Sequence, residues 1–366
     1  MPAPVPTLED LPDPAGKRVL VRATLDLPLG ADRGGLMARY RAGELADTLD
    51  WLADRGAKIT VCGDAGGADP EEEASRFAGV RQVLEALLPG VAVADDTAGG
   101  GASAEDPEVI EALVGSHDLF VNDSFQWSYL PLPSLVLPPA RLASAMGRTV
   151  QHDLDAVGPL LTAPERMFVA VLGGNRSYPR LHGLEGLVLR ADSLVIGGAM
   201  ALPFLQAIGK QPADGASQEF LTECRRVYGL AERVQHPVQL PLDLVWLRPD
   251  GSVEVAAAGQ HPDGQVVDIG PRSQVRFAEM VQGASTLLWS GSLGQVEDPR
   301  FGAGTQAVGA ALGPGPAVLG GEALVSALDA NRQVPASARI ITATDPALEL
   351  LKNGDLPALM ALRRSG

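Results

Sequence analysis

Short apolar runs alternate along this chain with helical stretches, and glycine or polar turns separate them. Arg18-Val19-Leu20-Val21-Arg22 predicts a strand, and Glu44 to Arg55 predicts a helix with Leu45, Leu49 and Leu52 on one face. Lys58 to Cys62 predicts the next strand and Arg81 to Leu88 the next helix. Val91 to Ala94 and Leu119-Phe120-Val121 continue the series. The same rhythm restarts at Phe168 to Leu172. It carries on through Leu194-Val195-Ile196, Val238-Gln239-Leu240, Thr286 to Trp289, Ala317-Val318-Leu319 and Arg339-Ile340-Ile341. Strand and helix alternating at this spacing predict parallel sheets covered on both faces. Between the two series, Leu142 to Leu161 has little strand character and follows Pro138-Pro139, so it reads as a link with a helix from Asp153 to Leu161. Cores rarely grow beyond ~250–300 residues, so for a chain of 366 two doubly wound domains are expected ahead of a single giant sheet.

In the second half, three predicted strands end in paired glycines: Gly173-Gly174, Gly197-Gly198 and Gly320-Gly321. One such pair signifies little more than a tight strand–helix turn. Three at the carboxyl ends of parallel strands converge on the edge where these folds bind ligands, and the helices that follow offer N–H groups to a phosphate. Neither a GxxxxGK[ST] motif nor a clean GxGxxG is present, which disfavours P-loop enzymes and gives dehydrogenases no support.

Composition narrows the function. With 45 acidic and 29 basic residues the formal charge is −16, against nucleic-acid binding and adhesion to anionic membranes. No apolar stretch reaches the ~18 residues of a membrane span, and Met1-Pro2-Ala3-Pro4 lacks the order of a signal peptide. A soluble, cytoplasmic protein is expected, with Cys62 and Cys224 as buried free thiols. The five histidines, at 117, 152, 182, 236 and 261, have no metal-ligand spacing, and Glu71-Glu72-Glu73 reads as a solvated helix start. Trp289 is expected in the core. Only four lysines accompany 25 arginines, so arginine in place of lysine carries little functional weight here.

Several segments resemble the phosphoglycerate kinase family, in the family's order and over nearly the whole chain. Val21 to Leu29 (VRATLDLPL) resembles its VRVDFNVPL, and Phe120 to Phe125 (FVNDSF) its YVNDAF. Val171 to Arg176, continuing to Arg180-Leu181, resembles LGGAKVSDKI, and Ile196 to Ala201 resembles IGGGMA. Leu240 to Asp243 matches LPVD, Asp268 to Pro271 matches DIGP, Trp289 to Gly294 resembles WNGPMG, and Gly304-Thr305 stands at the family's GT. The resemblance implies an α/β protein of two Rossmann-like doubly wound parallel-sheet domains joined by a hinge helix. It places an N-terminal domain at 1–155, with a tail 352–366 packed back on it, and a C-terminal domain at 156–351. It also implies the glycolytic transfer of a phosphoryl group between 1,3-bisphosphoglycerate and Mg-ADP, a monomer, and an adenine nucleotide with Mg2+ as partners.

Carried over residue by residue, the resemblance implies catalytic positions at Arg41 and Arg180. In the substrate domain the family's aspartate and asparagine fall on Thr24 and Asp26. Its histidine falls on Asp64, and two of its arginines fall on Gly67 and Leu130. A further arginine-bearing strand is missing between Asp96 and Glu105. Three phosphate-binding arginines and a histidine are thus replaced or lost while two carboxylates arrive.

The nucleotide domain is altered less. Expected binding positions are Gly173, Gly174, Gly197, Gly198, Gly291, Gly320 and Gly321, with Arg176 and Arg180 for the family's lysines and Glu297 for its ribose-binding glutamate. Ser290 replaces an asparagine, Glu322 the metal-linked aspartate, and Ala323 a helix-start hydroxyl. The family's glycine-rich phosphate loop becomes Thr342-Ala343-Thr344-Asp345-Pro346-Ala347, with a carboxylate at the helix start. Phosphoryl transfer rests on positioning and charge, so the first expectation is a homologue with activity lost or strongly impaired and weak nucleotide binding at most. An active kinase with a rearranged substrate site and a non-enzymatic regulatory or scaffold protein are the alternatives.

Overall fold

The computed structural model describes residues 4–27, 36–65, 70–94, 107–211 and 215–365. Gly67, the Asp96–Glu105 interval, and Pro28 and Leu29 of the opening motif lie outside them. The chain forms two compact units, one of residues 1–155 with 355–366, the other of residues 156–354. The C-terminal break falls at Gly354 rather than before Lys352, because the preceding helix runs to Asn353 and Gly354 ends it with φ +76°.

In the first unit the elements are β1 (Arg18–Thr24), α1 (Leu36–Ala53), β2 (Lys58–Asp64), α2 (Pro70–Leu87), β3 (Ala92–Ala94), α3 (Pro107–Gly115), β4 (Leu119–Asp123), α4 (Pro133–Val136), β5 (Ala143–Met146) and the start of α5 (Arg148–Thr162), whose residues from Ala156 on belong to the second unit. The strands form a parallel sheet in the order β3-β2-β1-β4-β5. Leu45, Leu49 and Leu52 of α1 pack on Val19, Val21, Ile59 and Val61 of the sheet, as their spacing predicts. Two expectations change here. α1 begins eight residues before Glu44, and the supposed link holds strand β5 and a helix that begins at Arg148 rather than Asp153. Ala143-Ser144-Ala145-Met146 has no β-branched residue, so only its pairing with β4 makes it a strand.

The second unit runs β6 (Phe168–Leu172), α6 (Tyr178–Val188), β7 (Ser193–Ile196), α7 (Gly198–Ala207), α8 (Gln218–Val234), β8 (Val238–Gln239), β9 (Asp243–Leu247), β10 (Val253–Ala257), β11 (Gln265–Ile269), α9 (Pro271–Gln282), β12 (Thr286–Ser290), α10 (Ala303–Gly309), β13 (Ala317–Gly320), α11 (Glu322–Ala330), β14 (Ala338–Ile341) and α12 (Thr344–Asn353). Its parallel sheet has the order β14-β13-β12-β6-β7-β8. Strands β6, β7, β12 and β13 are buried at every position, as strands covered on both faces must be. A second sheet, β10-β9-β11, is antiparallel and was not expected from the strand–helix rhythm. Asp243 ends the loop before it and caps α9, accepting from the Ser273 and Arg272 amides at 2.9 and 3.1 Å.

The last helix, α13 (Pro357–Leu362), belongs to the first unit. Its Ala358 joins a small apolar cluster with Leu132 and Leu135, and the Ala358 amide donates to the Ser128 carbonyl at 3.2 Å. Cys62 and Cys224 are buried free thiols, and Trp289 is fully buried. Among the described residues no helix is long and apolar enough to cross a membrane.

Candidate functional site

Both parallel sheets reverse strand direction of growth at one point, between β1 and β4 in the first unit and between β6 and β12 in the second. Ligands bind such sheets in the crevice outside the strand ends at that point. Of the expected site residues, Thr24 and Asp26 lie at or just past the end of β1, and Gly174, Gly198, Gly291, Gly321, Arg180, Glu297, Glu322 and Ala323 line a cavity in the second unit.

In the first unit, Thr24 closes β1 and its Oγ1 lies 2.8 Å from Ser124 Oγ, just past β4. Two residues on, Asp26 meets two guanidinium groups. Arg76 Nη2 donates to Asp26 Oδ1, and Arg41 Nη1 stands 3.8 Å from Oδ2. Arg76 is also held by its Nε donating to the Ala65 carbonyl at 2.8 Å. Arg76 was missed in the sequence because it sits in the interior of α2 with no motif around it. Asp64 occupies the last position of β2, paired in register with Thr24. Leu130 is half-buried against the cluster of Leu132, Leu135 and Ala358, so this position serves packing. Arg22 is fully buried, with Nε donating to Ser134 Oγ at 3.0 Å and Nη1 to the Ala23 carbonyl.

Beside this crevice Asp123, at the end of β4, is buried and accepts from Thr48 Oγ1, the Thr149 amide and Thr149 Oγ1 at 3.0, 2.9 and 3.0 Å. Burial outweighs these donors and pushes its pKa up to about 7.

In the second unit the switch point opens into a cavity of about 410 Å3. Gly174, Gly198, Gly291 and Gly321 line it. The turns interlock: Gly174 N donates to Ser292 O at 2.7 Å and Gly173 N to Ser290 O at 2.8 Å. At Gly198 φ is +57°, and a Cβ there would stand 2.7 Å from the Gly174 nitrogen, so the approach of the two turns requires glycine. Gly173, Gly197, Ser290 and Gly320 support these turns from behind the lining. Ser290 Oγ donates to Thr344 Oγ1 at 3.0 Å and anchors the start of α12.

Of the two expected cations, Arg180 reaches the cavity and Arg176 is exposed outside its lining, where Asn175 and Ser177 stand instead. Ser177 caps α6 by accepting from the Arg180 amide at 3.3 Å. Arg180 Nη1 donates to the Gly173 carbonyl at 2.7 Å, and its Nε lies 3.8 Å from Asp345 Oδ1. Two glycines of α6 allow this pairing. A Cβ on Gly183 would meet Leu348 Cβ at 2.4 Å, and one on Gly186 would meet the Lys352 nitrogen at 2.5 Å, so α12 lies directly on α6. Burial lowers the Arg180 pKa and raises that of Asp345, and each partner's charge opposes the shift of the other. Glu297, Glu322 and Ala323 line the cavity. Asp268 lines it too. This buried carboxylate accepts from the Ile269 and Gly304 amides, both at 2.8 Å, and desolvation raises its pKa to about 6. The DIGP match contains Asp268, but nothing in that match marks it as a wall of the cavity.

Among the described residues no group of three or more His, Cys, Asp or Glu could hold a metal ion by itself. A magnesium ion held chiefly by substrate phosphates needs only one or two protein carboxylates. Glu322, in the first turn of α11, is a suitable donor for such an ion. Among the described lining residues the one arginine, Arg180, already faces Asp345.

A doubly wound α/β architecture with a glycine-built crevice at the switch point is the class to which many phosphate-handling folds belong. Comparison with known proteins narrows this. The family model for phosphoglycerate kinase matches residues 101–353. Phosphoglycerate kinases of Salinispora tropica and Deinococcus radiodurans are each 31% identical to the chain, over 97% and 98% of it and 98% and 95% of their own lengths. The phosphoglycerate kinase structures from Coxiella burnetii and Pyrococcus horikoshii superpose with TM-scores of 0.76 and 0.77 at 22% and 21% identity. Each covers 98% of this chain, which covers 99% and 98% of theirs. The chain belongs to the phosphoglycerate kinase family.

Proposed function

We propose that this protein is a phosphoglycerate kinase homologue in which the family's transfer between 1,3-bisphosphoglycerate and Mg-ADP is lost or strongly impaired, with weak nucleotide binding at most. It is read as a soluble cytoplasmic monomer. The observation that carries the proposal is Asp26, whose carboxylate engages both Arg41 and Arg76. A substrate phosphate would have to displace that carboxylate to gain either arginine. The three family arginines and the histidine that could compensate are absent from the sequence. At ~1.5–3 kcal/mol per charge-assisted hydrogen bond, losing three weakens binding by orders of magnitude. Where the resemblance places the family's histidine, the sequence has Asp64, the last residue of the neighbouring strand.

Arg76 also favours a second reading, an active kinase with a rebuilt substrate site, because two guanidinium groups converging on one anion is what a phosphate requires. A coupled assay for 1,3-bisphosphoglycerate formation from 3-phosphoglycerate and Mg-ATP decides between them. The first reading expects no turnover above background and no saturable binding of 3-phosphoglycerate in calorimetry. Saturable binding at millimolar concentration or below, abolished by Arg41→Ala, would put the second reading first.

A further inference from the structure

The charges around the cavity of the second unit point to a ligand unlike a phosphorylated one. Among its described lining residues, Asp268, Glu297, Glu322 and Asp345 are acidic and Arg180 alone is basic. The walls contributed by Leu244, Val266 and Leu293 are apolar. At about 410 Å3 the space suits a molecule of nucleoside size.

The position of Asp345 is fixed by its surroundings. It is the second residue of α12, whose N-cap, Ala343, supplies no side-chain acceptor. Its carboxylate therefore provides the negative charge that the helix start favours. The preceding Thr344 is buried and tied by its hydroxyl to Ser290, and Gly183 and Gly186 let α12 lie against α6. These contacts hold the backbone of Asp345 beside Arg180. A phosphate approaching Arg180 meets a carboxylate 3.8 Å from the guanidinium nitrogen, while an uncharged ligand against the apolar wall is not repelled.

We propose that Asp345 is the specificity-determining residue of this cavity, standing in for a ligand phosphate at Arg180, so that the cavity takes an uncharged nucleoside in preference to its phosphorylated forms. This deepens, and rests on, the reading that nucleotide handling has been impaired. Its failure is distinguishable from a failure of the lost-transfer reading, because the titrations read binding and the coupled assay reads transfer.

The test is calorimetric titration of the full chain with adenosine and with Mg-ADP, for the wild type and for Asp345→Asn. The amide preserves the size of the side chain and removes its charge. The wild type is expected to bind adenosine at least as tightly as Mg-ADP. Asp345→Asn should tighten Mg-ADP by about tenfold or more while moving adenosine by less than about threefold, since only the phosphorylated ligand feels the removed charge. The retained adenosine affinity also reports that the variant is folded. Wild-type binding of Mg-ADP tenfold tighter than adenosine would overturn the proposal. So would an unchanged ratio of the two in the variant, or no adenosine binding by the wild type at millimolar concentration. The coupled assay bears on the reading of lost transfer independently of all three.

Discussion

Arg76 donates to Asp26 from the middle of a helix fifty residues further along the chain, while Arg41 faces the other oxygen of the same carboxylate. Two cations at the carboxyl edge of the first sheet are thus satisfied internally. Asp26 is only half-buried, so solvent weakens the pair, and its consequence is for anion binding more than for stability. Asp26→Asn should remove the carboxylate charge that faces both arginines. We expect 3-phosphoglycerate binding to go from undetectable to the millimolar range, seen by calorimetry or by shifts in arginine side-chain NMR signals. No gain in the variant would show that lost arginines, and not the internal carboxylate, limit the site.

Asp123 makes a pH prediction whose sign is fixed. Its pKa is pushed up to about 7 in the folded protein against the ordinary 3.8 of an aspartate, so between those values the folded state holds more protons than the unfolded one. Its contribution to stability is fully present below about pH 4 and is lost as pH rises to about 7. Compared with Asp123→Asn, the wild type should lose stability across that window by up to ~1.4 kcal/mol per pH unit. Hydrogen-exchange protection of first-unit peptides, measured for both proteins at several pH values, reads this difference. Parallel curves would mean that Asp123 stays ionised on its three donors.

Gly186→Ala sets helix propensity against packing. Alanine favours an exposed helix interior by ~1 kcal/mol over glycine, but the added methyl would stand 2.5 Å from the backbone nitrogen of Lys352. Backbone cannot rotate aside as a side chain can, and overpacking costs ~1–3 kcal/mol. We expect net destabilisation of residues 156–354 in urea unfolding, together with a displaced Arg180–Asp345 pair. Unchanged or increased stability would contradict the close contact of α6 with α12.

Leu359, fully buried in α13, tests the C-terminal segment. Leu359→Ala should cost ~2–5 kcal/mol in the cavity it leaves. Exchange protection should fall in residues 4–27, 107–155 and 355–365 and be retained in 156–354. Loss of protection confined to α13 itself would show that the helix contributes little to the unit it joins.

The sequence made legible those parts whose signal is local. The buried strands β6, β7, β12 and β13 are continuous apolar runs, and the leucine spacing of α1 announces its buried face. The glycine pairs marked the second switch point because a turn that admits no Cβ leaves a trace in composition. What remained hidden depends on partners remote in sequence. β5 is a strand because β4 lies beside it, and the antiparallel sheet is assembled from short segments between two parallel strands. Arg76, Asp268 and the Arg180–Asp345 pairing come together only after helices have packed. Asp345 could be read as a carboxylate at a helix start, but which cation it would face could not.

The discontinuity of the first unit bears on the order of events during synthesis. Domains ordinarily fold as units with the N-terminal one first as the chain emerges. Here residues 355–366 complete the first unit, whereas residues 156–354 have every segment of theirs before that point. On the ribosome the second unit can close while the first still lacks the helix that carries Ala358, Leu359 and Leu362. The earliest residues translated therefore wait on much later ones to complete their unit, and a premature stop near residue 354 would yield a chain in which the later-made unit has all its segments and the earlier one does not.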